Sequence, residues 1–439
     1  MHKILIHLQQ TGRQQMKTII HITIFAFLFA SFILKAQELT GTIVVHTDIG
    51  KDTISKFIYS QFAEHLGHGI YGGIWVGEDS PIPNTRGIRN EVVNALKKIK
   101  VAAIRWPGGC FADEYHWKDG IGPRANRPSI INTNWGGVIE DNSFGTHEFM
   151  DLCEQLGAEP VICGNIGSGT VKEMADWVQY VSSDGENPMS QLRRKNGRDK
   201  PWKARFWCVG NETWGCGGIM SADFYSNEMA RYSHFLKNYD GNTLYKIASG
   251  GLPENYDWTE TIMKKWNGTD EWLKGYLSGY SLHFYTVNDW SNKGSATNFT
   301  EKDWFATLSK TLEMETLVEK HSAIMDKYDP ERRIGLIVDE WGNWFDVEPE
   351  TNPGFLYQQN SLRDAMVAAV NLNIFHNHCD RVKMSNIAQM VNVLQAMILT
   401  KDNEIVLTPT YYVFKMYSVH QDAVMLPVDV QFESYTNGT

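Results

Sequence analysis

Two glutamates follow apolar runs: Glu212 in Gly210-Asn211-Glu212-Thr213-Trp214, and Glu340 in Asp339-Glu340-Trp341-Gly342. A pair of carboxyls, one protonated and one ionised and roughly 5–5.5 Å apart, is the apparatus for displacement with retention at an acetal carbon. The first protonates the departing oxygen while the second attacks the carbon. A lone glutamate after a strand also suits the N-terminus of the next helix, where the macrodipole favours an anion, so Glu212 alone reads either way. Two such glutamates in an aromatic-rich chain favour chemistry.

The elements that must position them are visible as an alternation. Apolar runs of strand length occur at 57–63, 101–106, 159–163, 204–209, 244–249, 279–285, 333–338 and about 381–388. Helical stretches such as 89–99, 147–156, 222–237, 363–376 and 411–420 lie between or after them. Near-continuous apolar strands alternating with helices predict a parallel sheet covered by helices. Eight such units predict a closed (β/α)8 TIM barrel, whose chemistry sits at the C-terminal ends of its strands. Glu212 then closes the fourth strand and Glu340 the seventh, facing one another across the barrel mouth. Glu64 follows the first strand, and Arg105 ends the second and leads into Pro107-Gly108-Gly109-Cys110. His283 and Tyr285 end the sixth, and Asn386 and Gln389 lie on or after the eighth.

At this point the chain resembles the α-L-arabinofuranosidases of glycoside hydrolase family 51. The stretches that carry the likeness are FAEHLGHGIYGGIW (62–75), RWPGGCFADEYHW (105–117), WCVGNETWG (207–215), LHFYT (282–286), VDEWGNWF (338–345) and DRVKMSNIAQMVNVLQA (380–396). The resemblance implies an exo-acting retaining hydrolase of arabinofuranosides that needs no cofactor or metal. It implies Glu212 as acid/base and Glu340 as nucleophile, with Glu64, Cys110, Asn211, His283, Tyr285 and Gln389 against the sugar. Arg105 would orient Glu340 and lower its pKa by its charge, or serve as a barrel-mouth ion pair. Tyr285 would hold the nucleophile through its hydroxyl, and His283 would bond the acid/base or the sugar. Trp344 is either a leaving-group platform or packing, and Cys110 either a sugar contact or an inert small residue. A same-clan β-xylosidase or endoglucanase is the first alternative, and a non-catalytic carbohydrate-binding barrel the second.

Composition bounds the rest. The chain has 439 residues, and its 15 Trp, 18 Tyr and 20 Phe exclude disorder. Its 51 acidic against 41 basic residues argue against nucleic acid as a partner. The partners expected are arabinose-containing polysaccharides or oligosaccharides such as arabinan or arabinoxylan; a homo-oligomer is left open. Residues 1–36 carry Lys3, Arg13, Lys17 and Lys35 but no acid, around the apolar run Thr18–Leu34. They read as a signal peptide, with residues 1–15 an upstream extension and Met16 the start, and hence as a leader for periplasmic or extracellular export without a stable membrane anchor. Six cysteines without CxxC spacing leave any disulfide pairing open. The glycine-rich run 164–170 lacks a phosphate-loop ending. His376 and His378 are two apart and would point to different helix faces, which argues against a metal there.

The division expected is a lone strand at 37–51, the barrel at 52–421, and the start of a C-terminal β-sandwich at 422–439. The resemblance implies a C-terminal β-sandwich joined by the N-terminal strand, and with only residues 422–439 after the barrel the expectation is a small, truncated one with apolar strand edges exposed.

Overall fold

The computed structural model describes residues 41–50, 52–266, 273 and 275–434. The leader expected at 1–36 lies outside them. The eight barrel strands are β1 (Ser60–Phe62), β2 (Ala103–Trp106), β3 (Glu159–Gly164), β4 (Phe206–Val209), β5 (Tyr245–Ala248), β6 (Gly279–Thr286), β7 (Gly335–Asn343) and β8 (Val382–Ile387). Each pairs in parallel with the next, and β8 pairs with β1, so the sheet closes. All eight expected runs are therefore strands, in the expected order. Side chains such as Val161, Phe206, Ile247, Ile337 and Met384 pack together inside the barrel. The opposite strand faces meet the helices, which is why the runs are apolar on both sides.

Each strand is followed by a main helix: α1 (Asn90–Lys98), α2 (Thr146–Leu156), α3 (Val171–Ser182), α4 (Ala222–Phe235), α5 (Tyr256–Lys265), α6 (Glu313–Tyr328), α7 (Leu362–Asn377) and α8 (Pro409–Tyr417); a second helix accompanies two of them, Pro188–Lys195 after α3 and Glu301–Thr311 before α6. Their starts are written in the sequence. Ser221, Asn255, Ser361 and Thr408 each accept a backbone N–H of the first turn, satisfying donors that have no partner within the helix. The glycine-rich run is the β3–α3 turn. Asn165 Oδ1 accepts from Ser168 N and Gly169 N, and Thr170 caps α3. His376 bonds the Tyr59 hydroxyl at 2.7 Å and His378 pairs with Glu315, so the two imidazoles take separate partners.

A second, small unit comprises Gly41–Val45 paired antiparallel with Val428–Phe432, from Gly41 opposite Phe432 to Val45 opposite Val428. The strand expected near the C-terminus thus has a partner from the N-terminal segment, and Ile43, Val430 and Phe432 are exposed.

Candidate active site

Glu64, directly after β1, is 2 % exposed. Its Oε1 accepts from Gly109 N (2.9 Å), Phe111 N (3.1 Å) and Trp135 Nε1 (2.9 Å), and its Oε2 from Gln389 Nε2 (3.1 Å). Gln389 Oε1 in turn accepts from Glu64 N at 3.2 Å, so the residue after β8 braces the one after β1 twice. Burial, and then the charge of Glu340, push the Glu64 carboxyl up to about 7. The Gly108-Gly109 turn makes this crowding feasible. A Cβ on Gly109 would lie 2.7 Å from Glu340 Oε1, and one on Gly108 2.9 Å from Glu64 Oε1.

Glu340 sits on β7, 6 % exposed. Arg105 on β2 donates from Nη1 to Glu340 Oε1 (2.9 Å) and from Nη2 to Asn211 Oδ1 (2.5 Å), joining the two glutamate-bearing strand ends through one guanidinium. The Tyr285 hydroxyl donates to Glu340 Oε2 at 2.9 Å. Arg105 lowers the Glu340 carboxyl pKa, as its charge was expected to, but it does not set the net direction. Burial raises that carboxyl above its ordinary value, and His283 and Arg105 hold it back without reversing the direction.

Glu212 leaves β4 with φ of 38°, a left-handed backbone that is uncommon outside glycine and frequent at functional turns. Its Oε1 lies 2.8 Å from His283 Nδ1, and His283 Nε2 lies 3.2 Å from Asp339 Oδ1. Burial disfavours the imidazolium, but the charges of Glu340 and Asp339 outweigh it and raise the His283 pKa well above its ordinary value. Ligand-type atoms of Glu212, His283 and Glu340 all lie within 4.8 Å of one another. One oxygen of each glutamate thus lies within 4.8 Å of the other, nearer the ~5–5.5 Å of a retaining pair than the ~6.5–9.5 Å of an inverting one. Each glutamate already has protein partners here.

Cys110 is joined to Cys216, 106 residues further along the chain, a pairing that the sequence left open. The bridge ties the loop after β2 to the loop that carries Glu212, and Cys216 Sγ lies 3.8 Å from Glu212 Oε2. Trp344 packs edge-on against Tyr285, with ring centroids 5.2 Å apart.

Glu64, Cys110, Arg105, Asn211, Glu212, His283, Tyr285, Glu340 and Gln389 thus all converge on one barrel mouth. Sequence reasoning missed three residues. Asp339 is buried between Arg105 Nε (3.4 Å) and His283; it lies beside Glu340 in the chain, but strand alternation would place it on the opposite face. Asp113 accepts from Ile166 N (2.7 Å), Gly167 N (2.9 Å) and Asn211 N (2.8 Å), pinning the ends of β3 and β4, and burial pushes its carboxyl up to about 7. Its signal was its place in the 105–117 stretch. Trp135, on Glu64, lies in a long loop with no local signal.

A closed eight-stranded parallel barrel with two carboxyl groups meeting over its C-terminal mouth is the frame of a (β/α)8 glycoside hydrolase. The chain belongs to the α-L-arabinofuranosidases of glycoside hydrolase family 51. The family model described as α-L-arabinofuranosidase 1 domain matches residues 95–302, and that described as α-L-arabinofuranosidase C-terminal domain matches residues 339–439. An intracellular exo-α-L-arabinofuranosidase of Bacteroides ovatus is 59% identical over 93% of this chain and 78% of its own length. α-L-Arabinofuranosidase C of Emericella nidulans is 32% identical over 92% of this chain and 79% of its own. Among solved structures, the family 51 arabinofuranosidase of Xanthomonas axonopodis pv. citri superposes with a TM-score of 0.88 at 51% identity, covering 91% of this chain and 80% of that one. The α-L-arabinofuranosidase of Thermotoga maritima in its arabinose complex gives 0.78 at 32% identity, covering 90% and 77%. The chain is thus an exo-acting α-L-arabinofuranosidase, as the sequence motifs implied. The expectation of export is corrected, because the Bacteroides ovatus relative is named an intracellular enzyme. Among the described residues no helix is long and apolar enough to cross a membrane.

Proposed function

We propose that this enzyme releases terminal arabinofuranose by double displacement, with Glu340 as nucleophile and Glu212 as acid/base. The observation that carries the reading is the close approach of the Glu212 and Glu340 oxygens around His283. In the first step a Glu340 oxygen attacks the anomeric carbon, the glycosidic bond breaks, and the proton held on the Glu212–His283 hydrogen bond passes to the leaving oxygen. In the second step Glu212 takes a proton from water, whose oxygen attacks the same carbon and releases Glu340. Arg105 and Tyr285, one on each Glu340 oxygen, hold the nucleophile's rotamer. Asn211, with its carbonyl oxygen turned to Arg105 and one amide hydrogen toward Cys216 Sγ (3.8 Å), has its other amide hydrogen for the sugar 2-hydroxyl, an interaction that strengthens as positive charge develops. Glu64 accepts from the distal hydroxyls, Gln389 fixes Glu64, and Cys110 shapes the wall through its bridge. Trp344 lies at the leaving-group edge. The barrel, 52–421, carries all of this chemistry, and the segments 37–51 and 422–439 belong to the C-terminal sandwich.

Glu340→Ala and Glu212→Ala each lose nearly all turnover on nitrophenyl α-L-arabinofuranoside, and azide restores product formation in Glu212→Ala only. Full activity in either variant, or faster cleavage of nitrophenyl β-xyloside by the wild-type enzyme, would overturn the reading.

A further inference from the structure

The catalytic mouth occupies the C-terminal ends of the strands. At the opposite end of the barrel, the loop between α4 and β5 and the approaches to β4 and β6 enclose a cleft of about 470 Å³. That is within the ~300–1,000 Å³ range of small-molecule sites. Arg205, His234, Lys237 and Lys246 line it, and none of the described residues lining it is acidic. Arg205 has its counter-ion in Glu159, 2.8 Å from its Nε. Lys237 and Lys246 have no carboxylate partner among the described residues. Lys246 is nevertheless only 6 % exposed. An ammonium so far out of water is costly unless a carboxylate stands beside it. Its Nζ donates to Ser233 O at 2.7 Å, in the last turn of α4, and lies 5.0 Å from the centre of the Tyr276 ring. Ser233 and Tyr276 both line the cleft, so the ammonium stands at its wall. The helix end offsets part of the burial cost, but it supplies only about half a negative charge. Burial, and then the charge of Lys237, lower the Lys246 pKa to about 8.

We propose that this cleft binds a dianionic phosphate group, free or carried by a small metabolite, between Lys237 and Lys246. Charge balance selects the ligand class. Two ammonium groups without counter-ions match one dianion, whereas a monocarboxylate would leave one of them unpaired. The donors are in place as well. An ammonium has three N–H groups, and the bond to Ser233 O uses one of those on Lys246, leaving the others for phosphate oxygens. Arg205 lines the same cleft with one of its five N–H donors committed to Glu159. The cleft is also roomier than a phosphate group alone requires. His234 and Tyr276 lie stacked in its wall with ring centroids 6.1 Å apart, an aromatic surface against which an organic portion would rest. The site lies at the far end of the barrel from Glu212 and Glu340 and does not depend on their roles. Its occupancy stabilises the folded chain by mass action without entering the hydrolytic reaction.

The test is calorimetric titration of the full chain with inorganic phosphate and with ribose 5-phosphate, at matched ionic strength and with acetate as the monoanion control. The wild-type enzyme binds phosphate at one site with a Kd of about 1 mM or tighter. Lys237→Ala, at an exposed position, and Lys246→Met, similar in volume and uncharged, each weaken binding by about tenfold, the worth of one charge-assisted hydrogen bond. Lys237→Ala keeps the wild-type kcat/KM on nitrophenyl α-L-arabinofuranoside. Tighter binding of ribose 5-phosphate than of phosphate, with the same lysine dependence, assigns a phosphate monoester, and equal or weaker binding assigns the free ion; both support the site. No saturable binding of either probe up to about 10 mM overturns the proposal. So does an affinity unchanged in Lys237→Ala, or acetate binding as tightly as phosphate. If Lys246→Met does not fold, the exposed Lys237→Ala decides alone.

Discussion

Asp339 and Glu340 are consecutive residues on β7, yet both carboxyls reach the same imidazole. His283 Nε2 lies 3.2 Å from Asp339 Oδ1, and His283 Nδ1 lies 3.6 Å from Glu340 Oε2. A regular strand would send the two side chains to opposite faces. The β7–β8 register shifts between Val338 and Trp341, and an irregularity of that kind re-aims a side chain. Asp339 also faces Arg105 and accepts from the Ser281 hydroxyl, so one buried carboxylate supports the partners of both glutamates.

Asp339→Asn therefore weakens both supports. Its negative charge helps to raise the His283 pKa, so its removal lets the imidazolium lose its proton at lower pH. The alkaline limb of kcat moves to lower pH, and kcat at the optimum falls by about 10²-fold with little change in KM. A pH–rate profile beside the wild type checks this; an unmoved alkaline limb would count against the relay.

Gly109→Ala puts a methyl group 2.7 Å from Glu340 Oε1. The nucleophile must shift by a large part of an ångström, and kcat/KM falls by about 10²-fold. Circular dichroism and thermal midpoint should stay near wild type, because the clash is with a side chain at an open mouth and not with the core.

The raised Glu64 carboxyl predicts two pH effects. Only the ionised form accepts from sugar hydroxyls with both oxygens, so KM for nitrophenyl α-L-arabinofuranoside rises as pH falls below about 7, and Glu64→Gln removes that dependence while raising KM throughout. For stability the sign is set by the folded state holding its proton more tightly than the unfolded one. The contribution is full below the ordinary 4.5 and is lost as pH rises through about 7. Asp113, raised from 3.8 to about 7, acts in the same direction. The thermal midpoint contribution of Glu64 thus declines over that window, and Glu64→Gln shows a shallower decline, with the Asp113 part remaining.

Reduction of Cys110–Cys216 frees the loop that carries Glu212. Closing a chain segment of 106 residues restricts the unfolded ensemble, and its loss costs about 2–4 kcal/mol. Cys216→Ser, or dithiothreitol on the wild type, lowers the thermal midpoint. It also lowers kcat, since Glu212 loses its tether. Reductant should leave the variant unchanged, and equal responses of the two proteins would refute the assignment.

Eight strands in chain order, helices such as 89–99, 147–156, 222–237, 363–376 and 411–420, and Glu212 and Glu340 at the ends of β4 and β7 were readable from the residues. Each depends on short-range pattern: apolar runs, helical periodicity, and the polar residue that follows a strand. Tertiary structure alone decided what lies far apart in sequence or breaks that pattern. Asp339 turns inward because of an irregularity that no alternation rule anticipates. Trp135 reaches Glu64 from a loop without periodicity. Cys110 finds Cys216 among six cysteines because the β2 and β4 loops meet at the mouth. Glu340 is raised and not lowered because burial, a property of the closed barrel, outweighs the neighbouring cations.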